Sequence, residues 1–272
     1  MRGRVPGKVM GDVPSDLVSN MIAAARAAAP ALITGFRCHA ALHVREKGPG
    51  DFVSDADLEA ERAIFETLTR ADARACFQSE ETRAGEVTSG RRYIVDPLDG
   101  TTNFVRKIPH FCISIAYADE LGVAAGVILD PLRDELFWGE RERGAYLGDE
   151  RLAVATGAPP AGGLVHTGIP PSRSPYYARY LAQLARLMGR TSSVRRLGSA
   201  ALDLAYVAAG RGDAFFEPGL KPWDIAAGLV LVREAGGVVT DHAGGDTMLA
   251  CGDVLAASPL LHPTLLGLLA ER

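Results

Sequence analysis

Two aspartates three residues apart, Asp96 and Asp99, bracket Pro97 and Leu98 and run into Gly100-Thr101-Thr102-Asn103. Carboxylates are the ligands of hard divalent cations. Two of them this close repel each other unless a cation sits between them. Tyr93-Ile94-Val95, just before, is an apolar β-prone run that reads as a buried strand. Pro97, with no N–H to donate, is expected to stop its ladder. Gly100 permits a tight turn, and Thr101 to Asn103 read as the first turn of a helix anchored by Phe104. A helix start presents free N–H groups, so a cation site lies beside a place for an anion.

Other acids fit the same chemistry. Glu80 and Glu81 follow the short strand Ala75-Cys76-Phe77. If that strand and Tyr93–Val95 end at one sheet edge, Glu80 can join Asp96 on one metal, whereas alternation turns Glu81 away. Asp57 stands three residues after Ser54, a spacing that equally suits a helix-capping box. Asp224 follows Pro222-Trp223 at a helix start, where an N-cap is the competing reading. Acidic pairs can also be no more than solvated turns.

Together these segments resemble the inositol monophosphatase family. Asp96-Pro97-Leu98-Asp99-Gly100-Thr101-Thr102-Asn103-Phe104 is similar to its first signature. Trp223-Asp224-Ile225-Ala226-Ala227-Gly228, continuing to Glu234-Ala235-Gly236-Gly237, is similar to its second. Asp51 to Asp57 and Glu80-Glu81 match the remaining acidic segments, and the likeness runs from Lys47 to the C-terminus. The resemblance implies a magnesium-dependent, lithium-sensitive phosphatase with two to three Mg²⁺ per subunit. Glu80, Asp96 and the Leu98 carbonyl would hold the first ion, Asp96, Asp99 and Asp224 the second, and a weaker third would lie near Glu80. Gly100 and Thr101 amides would bind phosphate. Thr101, hydrogen-bonded to Asp57, would orient a metal-activated water; Asp57, Thr101 and Glu80 are thus the expected catalytic residues. Gly198, Ser199, Ala200 and Glu217 would meet the substrate's hydroxyls. The family often has Thr at Ser199 and Gly at Ser79. For Glu217 the competing reading is a surface acid before Pro218-Gly219, and for Lys47, which matches a family lysine, a flexible surface side chain.

The expected substrate is myo-inositol-1-phosphate or another small phosphorylated polyol. Histidinol phosphate and 3′-phosphoadenosine 5′-phosphate are the competing substrates, and a regulatory relative that binds RNA or polymerase is the competing class. The implied fold is the layered α/β/α/β/α sandwich of the inositol monophosphatase and fructose-1,6-bisphosphatase type. A homodimer is also implied.

The elements that must position these residues follow in order. Ser15 caps a helix carrying Leu17, Met21, Ala24, Ala25 and Ala28, which continues through Pro30 to about Phe36 with a kink or break there. Lys47 to Gly50 reads as a loop, and a helix with Leu58, Ile64, Phe65 and Leu68 on one face follows Asp57. Phe111–Ala118, Val123–Leu129, Glu135–Trp138 and Gly144–Leu147 form an antiparallel meander. Pro159 to Gly163 marks a boundary. Beyond it strands and helices alternate: strands at Leu164–Thr167, Ser193–Arg195, Ala214–Phe216, Val238–Thr240 and Val254–Ala256, and helices at Tyr176–Met188, Ala200–Ala209, from Asp224 to Ala235, and Leu261–Leu269. The chain divides into a half at 1–158 carrying most acids and a half at 159–272 carrying Asp224 and the substrate contacts, joined as one compact unit.

Composition bounds the rest. The 272 residues are 47% hydrophobic and carry a net charge of −4, which gives no pull toward nucleic acid or membrane. Cys38, Cys76, Cys112 and Cys251 lack paired spacing and read as reduced, mostly buried thiols. Six scattered histidines make no zinc pattern, and Arg190, Arg195 and Arg196 read as a solvated or subunit-facing patch. Residues 1 to about 14 read as a mobile tail without a secretory apolar core, and no apolar run looks long enough to span a bilayer. A cytoplasmic protein is expected.

Overall fold

The computed structural model describes residues 13–38, 43–48, 51–82, 90–156 and 160–270. The expected tail, apart from its last two residues, and part of the expected boundary lie outside the described residues. Ser15 caps α1 (Asp16–Arg37) by accepting from the Val18 amide at 3.2 Å. Pro30 does not break α1, because it lies on the exposed face, where solvent can meet the carbonyl that loses its donor. By length and composition α1 could cross a bilayer, contrary to the expectation above. Its Val18, Met21, Ala24, Ala25, Ala28 and Leu32 are instead buried in a protein core.

β1 (Val44–Gly48) and β2 (Asp51–Ser54) pair antiparallel, so Lys47 and Gly48 lie in a strand rather than a loop. The run Val44-Arg45-Glu46 has too little apolar character to announce one. Next come α2 (Asp55–Ala71), β3 (Phe77–Ser79), β4 (Arg92–Asp99), α3 (Thr101–Val105), β5 (Cys112–Asp119), β6 (Gly122–Asp130), β7 (Glu135–Glu140), β8 (Gly144–Leu147) and β9 (Glu150–Arg151). β3 to β9 form one seven-stranded sheet in sequence order, with β3 parallel to β4 and the other pairs antiparallel. Beyond residue 163 come β10 (Leu164–Thr167), α4 (Tyr177–Met188), β11 (Ser193–Arg195), α5 (Ala200–Ala208), β12 (Ala214–Glu217), α6 (Pro222–Glu234), β13 (Val238–Thr240), α7 (Met248–Cys251), β14 (Val254–Ala257) and α8 (His262–Ala270). The second sheet has the order β11-β10-β12-β14-β13. The sequence reading lacks β9 and α7, which are two and four residues long.

Alternation along the strands sorts side chains into three cores. Tyr93 and Val95 face α1 and α2, while Ile94 faces α5 and α6. In the second sheet Phe215 and Ala256 meet α5 and α6. Phe216, Leu255 and Ala257 meet α4 and α8. The order is therefore helix, sheet, helix, sheet, helix, the expected sandwich. Being enclosed between two sheets explains why α6 is buried at every position from Ile225 to Val232.

Gly126 sets how closely α6 approaches the first sheet. A Cβ there would lie 2.6 Å from the Ala227 carbonyl oxygen and 2.7 Å from Val230 Cγ1. Gly126→Ala is expected to cost about 3 kcal/mol by overpacking. A Tm within 2 °C of the parent, roughly the effect of 1 kcal/mol or less, would contradict this.

The cysteine expectation needs correction. All four are free, but only Cys112 is buried, because Cys38, Cys76 and Cys251 sit at the ends of elements rather than inside them.

Candidate active site

Pro97 does not end β4. Asp96 pairs with Ser114 and Asp99 with Cys112, so Pro97 and Leu98 together oppose the single residue Ile113. This β-bulge accommodates the missing proline donor. It also changes the geometry of the acids. Residues three apart on a regular strand point to opposite faces, and the extra bulged residue returns Asp99 to the side of Asp96. The Leu98 amide closes the turn on Asp96 Oδ1 at 2.9 Å.

Parallel pairing of β3 with β4 aligns Ser79 with Val95, and the Glu80 amide donates to the Val95 carbonyl at 3.2 Å. Glu80 therefore stands beside Asp96, as the shared sheet edge requires. Asp224 arrives from the first turn of α6; it is the third helical residue and not the N-cap, which is Lys221, and it accepts from the Lys221 amide at 2.7 Å.

Electrostatics record this convergence. Burial, then the charges of Glu80, Asp99 and Asp224, push the Asp96 carboxyl well above its usual range. Burial, then Asp99, does the same to Asp224. Asp99 is pushed to about 7 by burial, against the hydrogen bonds it accepts from the Ser199 hydroxyl at 2.6 Å and the Ala201 amide at 2.8 Å. Asp99 and Asp224 keep part of their surface open to a cleft, although protein atoms surround them. None of Asp96, Asp99 and Asp224 forms an ion pair with a described Lys, Arg or His. Among the described residues no three acids, histidines or cysteines form a closed metal cage as they stand. One oxygen each of Asp96, Asp99 and Asp224 is engaged by the protein's own donors. The remaining oxygens, all hard and anionic and without a paired cation, fit a divalent ion such as Mg²⁺.

Gly100 has φ 95° and begins α3; a Cβ there would lie 3.1 Å from the His110 carbonyl oxygen, so glycine is required. The first amides of α3 have no intrahelical acceptors.

The Thr101 to Asp57 hydrogen bond is not formed. The Thr101 hydroxyl donates to the Leu98 carbonyl at 3.0 Å, and Asp57 Oδ2 accepts from the Ser54 amide at 2.9 Å and from the Ser54 hydroxyl. The capping box is therefore real. Asp57 Oδ1 is buried with no partner among the described residues. Burial raises the Asp57 carboxyl to about 7.

Gly198, Ser199, Ala200 and Glu217 line one cleft of about 170 Å³ with Asp99 and Asp224. Glu217 is thus no surface acid. Arg196 is solvent-exposed, as the reading of a solvated patch has it, and it also lines this cleft. A wider cleft of about 530 Å³, with Glu217 and Asp224 on its wall, continues past Ile169 and Tyr176 to Arg173.

Three supporting groups escaped the sequence reading. Buried Glu61 accepts from the Ser79 hydroxyl and, at 3.3 Å, from the Thr82 amide, steadying the turn around Glu80. Its signal was available, since Asp57 and Glu61 are acids four apart on the apolar face of α2. Asn103 Nδ2 donates to the His110 carbonyl at 2.8 Å and the Leu197 carbonyl at 2.9 Å, tying the α3 turn to the Gly198 loop. The third group is the buried pair His166 and Asp203, joined at 2.9 Å. No sequence signal marked the last two, because their partners lie 94 and 37 residues away. Asn103→Ala strands the buried His110 carbonyl and the half-buried Leu197 carbonyl and is expected to cost about 2 kcal/mol. Thermal unfolding checks it, and no fall in Tm would contradict the clamp.

A bulged strand end that collects acids from three distant segments, inside a five-layer α/β sandwich, defines a phosphomonoester hydrolase of the layered type. The model of the inositol monophosphatase family matches residues 14–272. The chain belongs to that family, which is in general magnesium-dependent. It is 49% identical to the inositol-1-monophosphatase of Mesorhizobium japonicum over 226 residues, 83% of this chain and 85% of that one. It is 42% identical to the Nus factor SuhB of Escherichia coli K12 over 220 residues, 80% and 82% of the two chains. Among solved structures, the Thermotoga maritima IMPase superposes with a TM-score of 0.84 at 33% identity, covering 94% of this chain and 97% of its own.

Proposed function

We propose that this protein hydrolyses myo-inositol-1-phosphate, or a small polyol phosphate much like it, to the alcohol and phosphate. The observation that carries this reading is the convergence of Asp96, Asp99 and Asp224, none of them ion-paired with a described residue, on a cleft lined by Glu217 and the Gly198 loop. In this reading Glu80, Asp96 and the Leu98 carbonyl hold one Mg²⁺, Asp96, Asp99 and Asp224 a second, and a third lies near Glu80. Bound magnesium supplies positive charge against the phosphoryl oxygens and the leaving oxygen. The chain does the rest. Gly100 and Thr101 amides hold the phosphate in line. Asp57 Oδ1, the acceptor left without a donor, takes the proton of the attacking water, with the Thr101 hydroxyl orienting it. Gly198, Ser199, Ala200 and Glu217 orient the polyol. The reading includes a cytoplasmic homodimer acting on a soluble substrate, with no membrane or nucleic-acid partner. It also includes a division near residue 158, between a half with most acids and a half with Asp224.

The test is a panel of kcat/KM values, with and without magnesium and lithium, on inositol-1-phosphate, histidinol phosphate and 3′-phosphoadenosine 5′-phosphate. Inositol-1-phosphate is expected to lead, with activity lost without magnesium. Equal or better turnover of either competitor overturns the substrate choice. The likeness to the Nus factor SuhB favours one second reading, a regulatory role in transcription. A protein that turns over no ester and co-purifies with polymerase or RNA would support it.

A further inference from the structure

Asp203 lies on α5, one turn past the Ser199 cap, and is only 1% exposed. An acid there, in the layer between two sheets, needs a partner. It has one: Asp203 Oδ1 accepts from His166 Nδ1 on β10 at 2.9 Å. His166 is itself 3% exposed, and its Nε2 has no partner among the described residues. The bond to Asp203 is thus the ring's one hydrogen bond. The ring fills a slot that only glycine leaves open, since a Cβ on Gly212 would lie 2.3 Å from His166 Cδ2. Asp203 Oδ2 has no hydrogen-bond partner among the described residues, and Asp203 lines the catalytic cleft. Glu217 lines the same cleft, its carboxylate set against Gly168, where a Cβ would lie 2.2 Å from Oε1.

Two carboxylates, one from α5 and one from β12, therefore line the cleft beyond Asp99 and Asp224. Arg196 stands on the same wall, but carboxylates only accept hydrogen bonds when ionised, so the pair favours a body that carries hydroxyl donors. We propose that Asp203 is a specificity-determining residue that accepts a hydrogen bond from a hydroxyl of the substrate's polyol body, and that His166 is its positioning residue. The proposal rests on the polyol-phosphatase reading and deepens it by adding a second acid to Glu217.

The experiment measures kcat and KM with magnesium for inositol-1-phosphate and for 4-nitrophenyl phosphate, whose body offers no hydroxyl. The proteins are the parent, Asp203→Asn, His166→Ala and His166→Asn, each checked by thermal unfolding. Asp203→Asn is expected to raise KM for inositol-1-phosphate about 10-fold, with kcat and the nitrophenyl ester changed less than about 2-fold. His166→Ala is expected to raise the same KM about 3-fold, and His166→Asn, which keeps a short donor, to restore most of the loss. Equal losses on both esters, or none on either, overturn the proposal while leaving the phosphatase reading intact. If the parent cleaves the nitrophenyl ester but no polyol phosphate, the substrate reading fails, and this proposal with it.

Discussion

Asp96→Asn is expected to lower kcat/KM on any phosphate ester at least ~10³-fold, and the metal-free variant to melt higher than the metal-free parent. The two effects share one cause. The asparagine oxygen still accepts from the Leu98 amide, so the bulge survives. What disappears is a buried negative charge facing Glu80, Asp99 and Asp224. That charge is unfavourable in the empty cluster and necessary once a cation is present. Asp224→Asn is expected to behave alike, its amide oxygen still capping the Lys221 amide. Steady-state kinetics and thermal melts in EDTA check both variants. Retention of more than a tenth of the activity by either would remove the cluster from catalysis.

Without divalent cations, stability is expected to fall by about 2–4 kcal/mol between pH 6.5 and 8.5. The sign follows from which state binds protons more tightly. Asp57 and Asp99 have folded-state values near 7, and Asp96 and Asp224 lie well above their usual range. A carboxyl raised on folding contributes stability below its unfolded value and loses it as pH climbs through the folded one. Burial acts the opposite way on histidine: it lowers His110 to about 4 and also lowers His242 and His262. Those groups add stability as pH rises to about 6.5, the unfolded value, and are neutral beyond it. Above that point only the acids act, so the decline shows there. Magnesium held by the folded state alone, at 100 times its Kd, would add about 2.7 kcal/mol. Melts from pH 5 to 9, in EDTA and in magnesium, decide the matter. A flat profile above pH 6.5 in EDTA would show that these acids do not share one buried site.

The acid-bearing stretches were legible because their chemistry is local in sequence. Asp96, Asp99, Glu80 and Asp224 each sit beside a strong punctuation mark: a proline, a strand end or a helix start. The strands of the meander and the alternation after residue 163 were equally plain, since each run is apolar and turn-bounded. What stayed hidden depends on tertiary contact. Pro97 looked like a stop because the bulge that tolerates it is a property of the pairing with β5. The Thr101 hydroxyl chose the Leu98 carbonyl, a near neighbour, over Asp57 on another element. Asn103, Glu61 and the His166–Asp203 pair reveal themselves only when distant segments meet.

The helices α5 and α6 are walled on both sides, so each sheet uses the same two helices as one face of its core. Neither sheet can bury that face without them, and they cannot be buried without both sheets. The chain should therefore lose its structure in a single cooperative step. Asp96 on one sheet, with Glu80 at its edge, and Glu217 on the other are then held in register by a common partition, so the proposed site has no intermediate state in which one wall stands alone.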